Sequence, residues 1–468
     1  MKRLIILAVL CAFVLSAAVA SAADIKASGA WVVEANWNSN WAFNKDVAGA
    51  SNGAAFAVSQ RATTTFEFIA NENLKGVLQT RYGTEQWGQK SFAIGSGDSG
   101  TNDNTQNRIT VRQAYIDFNW PDTTVHVRAG YQGISLPAAF GGGSLVLDEE
   151  IGAAVVSGSM TDNVGYLVGY ACAADGGANT NAYIDAYVAA LPMSFEGFSF
   201  APFGMYAPIG DATTATSLIG SKMQGLAANN ATDVTDGSFD NAYWLGAAFT
   251  MDLFDPFVLM ADVNYGTVKS SRSQNDRSGW LFDAALEYKG FDFMTPELFF
   301  VYTSGEDGNS SKGNGSSERM PVLAAQNWAI GSFFFGGDRL LMGSIQETND
   351  YMGFWALGLS LKDIQSFAEG LTHDVHLIYA RGTNDKNSLD VTGAGGSNHN
   401  FTYGRSLTEK DTLYEIDFNT GYKLYDELTL SLDLGYLNLD TKESRWNNVS
   451  GMKGGDAWKI STGVAYKF

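Results

Sequence analysis

The stretch Trp458-Lys459-Ile460-Ser461-Thr462-Gly463-Val464-Ala465-Tyr466-Lys467-Phe468 decides the fold class. Trp458, Ile460, Thr462, Val464, Tyr466 and Phe468 share one parity, and Lys459, Ser461, Gly463, Ala465 and Lys467 the other. Side chains alternate sides along a strand, so one face is apolar and the other polar or small. The hairpin before it repeats the pattern. Tyr414, Ile416, Phe418, Thr420 and Tyr422 alternate with Glu415, Asp417, Asn419 and Gly421, and Leu428, Leu430, Leu432 and Leu434 with Thr429, Ser431 and Asp433. Only Tyr425-Asp426-Glu427 separates the two runs. The same alternation begins at Ile25, Ala27, Gly29, Trp31 and Val33. Helical periodicity is hard to find after residue 23.

The chain of 468 residues carries 30 Lys+Arg against 50 Asp+Glu, a formal net charge of −20. Residues 1–22 read as a secretory signal: Lys2 and Arg3, an apolar run from Leu4 to Val14, and Ala20-Ser21-Ala22 as a small-residue cleavage site. Its loss leaves a single domain, 23–468, with 28 basic residues against 50 acidic, a net −22. A chain so acidic lacks the basic face that phosphate binding requires, which argues against a nucleic-acid partner. No later segment is apolar over the ~20 residues a membrane helix needs. Cys11 lies in the signal, so Cys172 has no intrachain disulfide partner in the mature chain. A closed sheet would supply the rigidity that disulfides do not.

Connections alternate in length. Short turns fall at Glu72-Asn73, Pro121-Asp122, Thr161-Asn163, Glu196-Gly197, Phe254-Pro256, Gly290-Asp292, Ile364-Gly370 and Tyr425-Glu427. Long polar connections fall near 38–60, 84–107, 133–150, 210–240, 305–351, 384–411 and 440–455. Aromatic residues such as Trp37, Phe68, Trp120, Trp244 and Trp355 collect at strand ends. A soluble β-sandwich alternates too, but short turns on one side, long loops on the other and two aromatic girdles are the pattern of an outer-membrane barrel. The reading is all-β: a transmembrane antiparallel up-and-down β-barrel of about 18 strands, with short periplasmic turns and long extracellular loops. Sixteen strands is the alternative, because 164–209 is interrupted by Ala and Pro. At either count the interior is too wide for side chains to fill and leaves a water-filled channel.

One connection is unlike the rest. It reads Ile134-Ser135-Leu136-Pro137-Ala138-Ala139-Phe140-Gly141-Gly142-Gly143, followed by Leu147-Asp148-Glu149-Glu150. Here the chain resembles the general, homotrimeric porins of Gram-negative bacteria, whose third loop opens with a Pro-x-Phe-Gly-Gly-type segment. Pro137, Phe140, Gly141 and Gly142 match that segment with one extra residue. The resemblance implies a third loop folded into the lumen, carrying Asp148, Glu149 and Glu150 to the narrowest point. Arg112-Gln113-Ala114-Tyr115 is similar to the family's fourth strand, and Val127-Arg128-Ala129-Gly130-Tyr131-Gln132 to its fifth, with Tyr131 where the family has arginine. The terminal Phe468 resembles the signal read by the barrel-assembly machinery. The long 305–351 connection and Leu413–Phe418 are most like the porins of sulfate-reducing bacteria. The family implies a homotrimer in the outer membrane, in contact with lipid and lipopolysaccharide, that passes ions and small hydrophilic solutes by passive diffusion.

By alternation Arg61, Arg81 and Arg128 face the lumen, while Arg112 shares parity with the apolar Ile116 and Phe118. A basic wall opposite an acidic third loop (133–150) would set a transverse field across the constriction. The alternative role for these arginines is to pair with loop acids and hold the third loop. The net charge predicts a cation-preferring or weakly selective pore. Two other functions stay open: a solute-specific channel for sugars or organic acids, and a structural or adhesive barrel with a blocked lumen.

Nothing nominates an enzyme. Gly97-Asp98-Ser99-Gly100 copies a serine-protease tetrapeptide inside a polar loop, but a triad is defined by geometry. His373 and His376, three apart on a strand, point to opposite faces and cannot share a metal. His126 and His399 have no neighbouring ligand residue. No cofactor is expected. Acids in the outer loops (Asp98, Asp103, Asp233, Asp236 and Asp240) could take calcium or magnesium, though their spacing fits no calcium loop. Met320 to Met342, with Phe333, Phe334 and Phe335, is too apolar for a solvated loop. It could extend the wall, plug the lumen or pack on a neighbour.

Overall fold

A computed structural model describes residues 24–40, 43, 55–87, 109–177, 181–211, 225–226, 239–272, 276–308, 316–323, 329–333, 335–336, 352–386, 407–441 and 454–468. The signal segment lies outside them. The strands are β1 (Asp24–Ser39), β2 (Ala55–Asn71), β3 (Leu74–Gln86), β4 (Ile109–Asn119), β5 (His126–Ser135), β6 (Asp148–Ser159), β7 (Gly165–Asp175), β8 (Tyr183–Ala190), β9 (Met193–Phe195) and β10 (Phe198–Pro208). They continue as β11 (Phe239–Phe254), β12 (Phe257–Ser270), β13 (Arg277–Tyr288), β14 (Thr295–Thr303), β15 (Phe354–Gln365), β16 (Leu371–Gly382), β17 (Thr412–Tyr425), β18 (Leu428–Asp440) and β19 (Gly455–Lys467). Each pairs antiparallel with its neighbours, and β19 pairs back onto β1. Closure is double at the seam, where Gly29 and Phe468 exchange both backbone hydrogen bonds, at 2.8 and 3.0 Å. No free edge remains among the described strands, and the ladders pair backbone groups where lipid offers no partner.

The 19 segments fill 18 positions in the wall. β8 and β9 both pair with β10, through Phe203↔Ala190 and Phe200↔Met193. Leu191 and Pro192 separate them because proline has no N–H to give the ladder. The interruption that left 16 strands open in the sequence is therefore a break within one wall strand.

Outward positions carry bulky apolar side chains and two aromatic belts. The upper belt runs through ring contacts Tyr170–Tyr187, Tyr187–Tyr206 and Tyr206–Tyr243, then Tyr265–Trp280 and Tyr379–Tyr414. The lower belt includes Phe257–Tyr288 and Phe291–Phe293. Rings with one polar edge suit the boundary between hydrocarbon and water.

Inward positions divide the barrel in two. Along β2–β5 the inner face is solvated and half-buried. From β7 round to β1 much of it is buried at upper and middle height, including Glu34, Asp262, Asp283, Glu415, Asp417 and Asp433. Inserted chain covers it. The third loop, residues 136–147, crosses the lumen, and Phe140 meets Phe299 of β14 with ring centroids 5.6 Å apart. A second insertion, within 316–336, lies beside it. Its apolar residues, with Met320, Val322, Leu323, Phe333 and Phe335 fully buried, pack inside the barrel. Of the three roles open for Met320–Met342, the described part plugs the lumen.

Candidate functional site: a narrowed lumen with one basic wall

The two insertions are fixed by the wall's own acids. Asp262 on β12 faces inward and accepts the N–H groups of Ala139 (2.8 and 3.0 Å) and Phe140 (2.9 Å). These N–H groups open the turn made by Gly141 and Gly142, both at positive φ, which glycine adopts without a Cβ clash. The neck of the loop closes through Leu136 N–H to Leu147 O, 3.0 Å. Pro137, Phe140, Gly141 and Gly142 thus form the turn that enters the lumen.

The tip of the second insertion docks on β17–β19. Ser332 N–H donates to Asp417 (2.9 Å) and Phe333 N–H to Glu415 (3.1 Å). Ser332 Oγ lies 3.0 Å from Asn419 Oδ1, and Lys459 Nζ donates to Ser332 O at 2.8 Å. Its base is held by Trp244 Nε1 to Pro321 O and by the buried Arg277, which donates to the carbonyls of Arg319 and Met320. The insertions also hydrogen-bond to each other, Ala329 N–H to Gly141 O and Leu323 N–H to Val146 O. They form one body on one side of the lumen, and among the described residues no inserted chain covers the inner face of β2–β5.

That side of the lumen is lined by bases. Arg61, Arg81 and Arg128 face it, as alternation predicts. Arg128 lies over the Tyr115 ring, its Cζ 4.6 Å from the centroid. The Nε atoms of Arg81 and Arg128 are shielded from water and have no hydrogen-bond partner among the described residues. No carboxylate among the described residues pairs with either guanidinium. Below them Lys75 pairs with Glu67 at 2.5 Å and His126 with Asp117 at 2.6 Å, while Gln79 bridges to Thr65 at 3.0 Å. Alternation puts His126 on the lumen face with Arg128, but its partner Asp117, on the neighbouring strand, corrects the expectation of a histidine without a neighbouring ligand residue. Tyr115 and Lys75 were not singled out as lumen residues in the sequence.

The acidic third-loop triplet lies elsewhere than expected. Asp148, Glu149 and Glu150 begin β6 and pair with Ser135, Ile134 and Gly133 of β5. They stand on the same side of the barrel as the arginines, not opposite. Glu150 has the parity of exposed Ala154, turns to the membrane face and forms an ion pair with Arg112, two strands away. The acids that do oppose the basic wall are Asp262, Asp283, Glu415 and Asp417, beneath the inserted segments.

His373 stacks on Phe418 outside the barrel and His376 bonds Ser360 inside, so the two do face apart. Of the acidic positions named for cations, only Asp240 is described. Another cluster, Glu306, Asp307 and Glu318, brings carboxylate oxygens within 4.8 Å of one another. Internal bonds organise it: Glu306 accepts from Ser317 Oγ and Arg319 Nε, and Glu318 from Asp307 N–H. Burial, then the charges of Asp307 and Glu306, raise the Glu318 carboxyl above its usual 4.5.

No family model and no curated protein matches the chain. Two solved structures share its architecture over nearly the full length. The outer membrane protein OprD from Pseudomonas aeruginosa is 13% identical with a TM-score of 0.51, over 96% of this chain and 95% of that one. Pseudomonas aeruginosa OpdQ is 11% identical with a TM-score of 0.50, over 95% and 98%. The chain has the fold of an outer-membrane channel. At these identities the likeness is one of fold. That fold is the one of Gram-negative outer-membrane channels, with the short turns at one end of the barrel and the insertions entering from the other.

Proposed function

We propose that the chain is a solute-selective outer-membrane channel whose passage favours small hydrophilic anions, organic acids among them. The observation that carries this is the pair of guanidinium groups, Arg81 and Arg128, on the side of the lumen away from the insertions, neither with a carboxylate partner among the described residues. The net charge of −22 pointed the other way. Of the inward-facing wall acids, however, Asp262, Glu415 and Asp417 accept N–H groups of inserted chain. Charges that line the water path act on a permeating ion, in narrow low-dielectric surroundings that strengthen them. Arg61, Arg81 and Arg128 are the constriction bases on this reading. Arg112, Glu150, Asp148 and Glu149 shape the rim beside them.

A general diffusion porin is the weaker reading, because two insertions that bond to each other narrow the lumen more than one loop would. Transport here needs no cofactor and no chemistry. Phe468, tied to Gly29 at the seam, is where the assembly machinery would engage the last strand. Lipopolysaccharide and further copies of the chain are the partners its outer wall would meet. Reconstituted single channels test the function. Saturable block of chloride current by small carboxylates, with little block by neutral sugars, is expected. Block by sugars alone would favour a sugar path, and silence a blocked barrel.

A further inference from the structure

The short turns carry only one sign of charge. The eight of them, from Glu72-Asn73 to Tyr425-Glu427, hold nine carboxylates and no lysine or arginine. Each turn has at least one, and all nine are exposed. The seven long connections mix both signs, 23 acids with 12 bases. At that ratio nine charged positions would include about three bases. Turn propensity explains aspartate at such sites but not the absence of lysine. Of the flanking lysines, Lys423 pairs with Asp426 at 3.0 Å and Lys289 with Glu287 of β13 at 3.2 Å. Among the described residues no other turn acid has an ion pair.

The turns ring one mouth of the barrel. The 18 wall positions, ~4.8 Å apart and tilted by ~40°, give a circumference of about 110 Å. Nine charges then stand roughly 12 Å apart. The Debye length is about 10 Å at 0.1 M salt and about 3 Å at 1 M. At the lower salt neighbouring fields merge into one negative band, and at the higher each acid is screened alone. The basic wall reaches close to this band. Its lowest guanidinium, Arg128, shares a ladder row with Asp117 and Lys75. Lys75 is three residues from Glu72, roughly 10 Å along the strand. A passage along β2–β5 therefore changes from basic to acidic within about one Debye length.

We infer that the channel is a rectifier, in which a basic zone in the lumen joins an acidic ring at the short-turn mouth. Fixed charge draws in mobile ions of the opposite sign, so the basic zone fills with anions and the acidic mouth with cations. When the turn side is positive, anions enter from the loop end and cations from the turn end. Both then accumulate where the zones meet, and conductance rises. With the polarity reversed both ions leave that junction, and conductance falls. The inference rests on the reading of Arg81 and Arg128 as an anion path, but its test reads the shape of the current–voltage curve and not the reversal potential.

The full-length protein is reconstituted in planar bilayers with equal potassium chloride on both sides. Phe367, 95% exposed in one of the turns, gives the orientation: Phe367→Cys with Cys172→Ser takes a maleimide reagent only from the chamber that the turns face. At about 0.1 M, larger current is expected with the turn side positive, and at about 1 M equal currents. Glu72→Gln, Asp122→Asn, Asp162→Asn and Glu196→Gln together should bring the ratio of the two currents toward one at the lower salt. A symmetric curve from an anion-preferring wild type overturns this inference alone, as does a larger current with the turn side negative or rectification that survives the four substitutions. A cation-preferring wild type overturns the anion-path reading beneath it. Should the fourfold variant fail to fold, the salt series of the wild type decides alone.

Discussion

Gly435→Val should open the lumen without breaking the wall. Gly435 faces inward on β18, laddered between Asp417 and Lys459. A Cβ there would lie 2.7 Å from Phe333 Cβ, 2.9 Å from its Cγ and 3.1 Å from Asp417 Oδ1. Phe333 is fully buried and has no room to step aside. Docking of the tip gains about 2 kcal/mol from burying that ring. The hydrogen bonds to Glu415 and Asp417 add about 1.5 kcal/mol each, the lower end for charged acceptors. These three terms come to ~5 kcal/mol. Valine introduces three carbons into a filled space, and overpacking of this kind costs about 1–3 kcal/mol, or more where the new Cβ stands this close to its neighbours. Strain removes a large part of what holds the tip, and the laddered wall is the stiffer partner. The tip should lift, with Glu415 and Asp417 joining the water path. Planar-bilayer recording should then show larger single-channel steps and a weaker anion preference. Wild-type steps and selectivity from a folded Gly435→Val barrel would refute the docking account.

Gly142→Val tests the contact between the insertions, since a Cβ at Gly142 would stand 2.6 Å from Ala329; noisier, larger currents are expected, and unchanged recordings would show that the contact carries no constraint. Asp262→Ala removes the acceptor of two third-loop N–H groups, which costs about 1–3 kcal/mol for each group left unsatisfied; limited proteolysis should cut the third loop faster while the barrel survives. Glu318 has a carboxyl pKa raised by burial and by its acidic neighbours, so the folded loop binds the proton more tightly than the unfolded one. Its contribution is fully present below the usual 4.5 and is lost as pH rises through the raised value. Protease resistance of the 306–318 region should fall over that window, and Glu318→Gln should flatten the dependence.

The wall of the barrel was legible because its physics is local. Alternation in residues 412–439 and 456–468 needs only the period of a strand, and the eight short turns stand where the sequence places them. The boundary of β6 was not legible. Asp148–Glu150 follow a glycine-rich run and read as loop, yet their ladder with β5 continues above the apolar band, where polar residues extend a strand at no cost in lipid. The third-loop turn was recognisable from Pro137 and Phe140–Gly142, but its anchor, Asp262, lies 122 positions from Phe140. Likewise Asp417 and Glu415 were known to face inward, and nothing local says that Ser332 and Phe333 lie against them. What a strand faces across a lumen is a property of closure, and net charge does not say which acids the fold has given hydrogen-bond partners, as it has Asp262, Glu415 and Asp417.

The reversal potential of the reconstituted channel in a potassium chloride gradient tests the central claim most directly, measured for the wild type and for Arg81→Ser with Arg128→Ser. The arrangement of charges in the lumen predicts an anion-preferring wild type whose preference is lost in the double variant, with conductance retained. A cation-preferring wild type, or an anion preference that survives removal of both guanidinium groups, would contradict it.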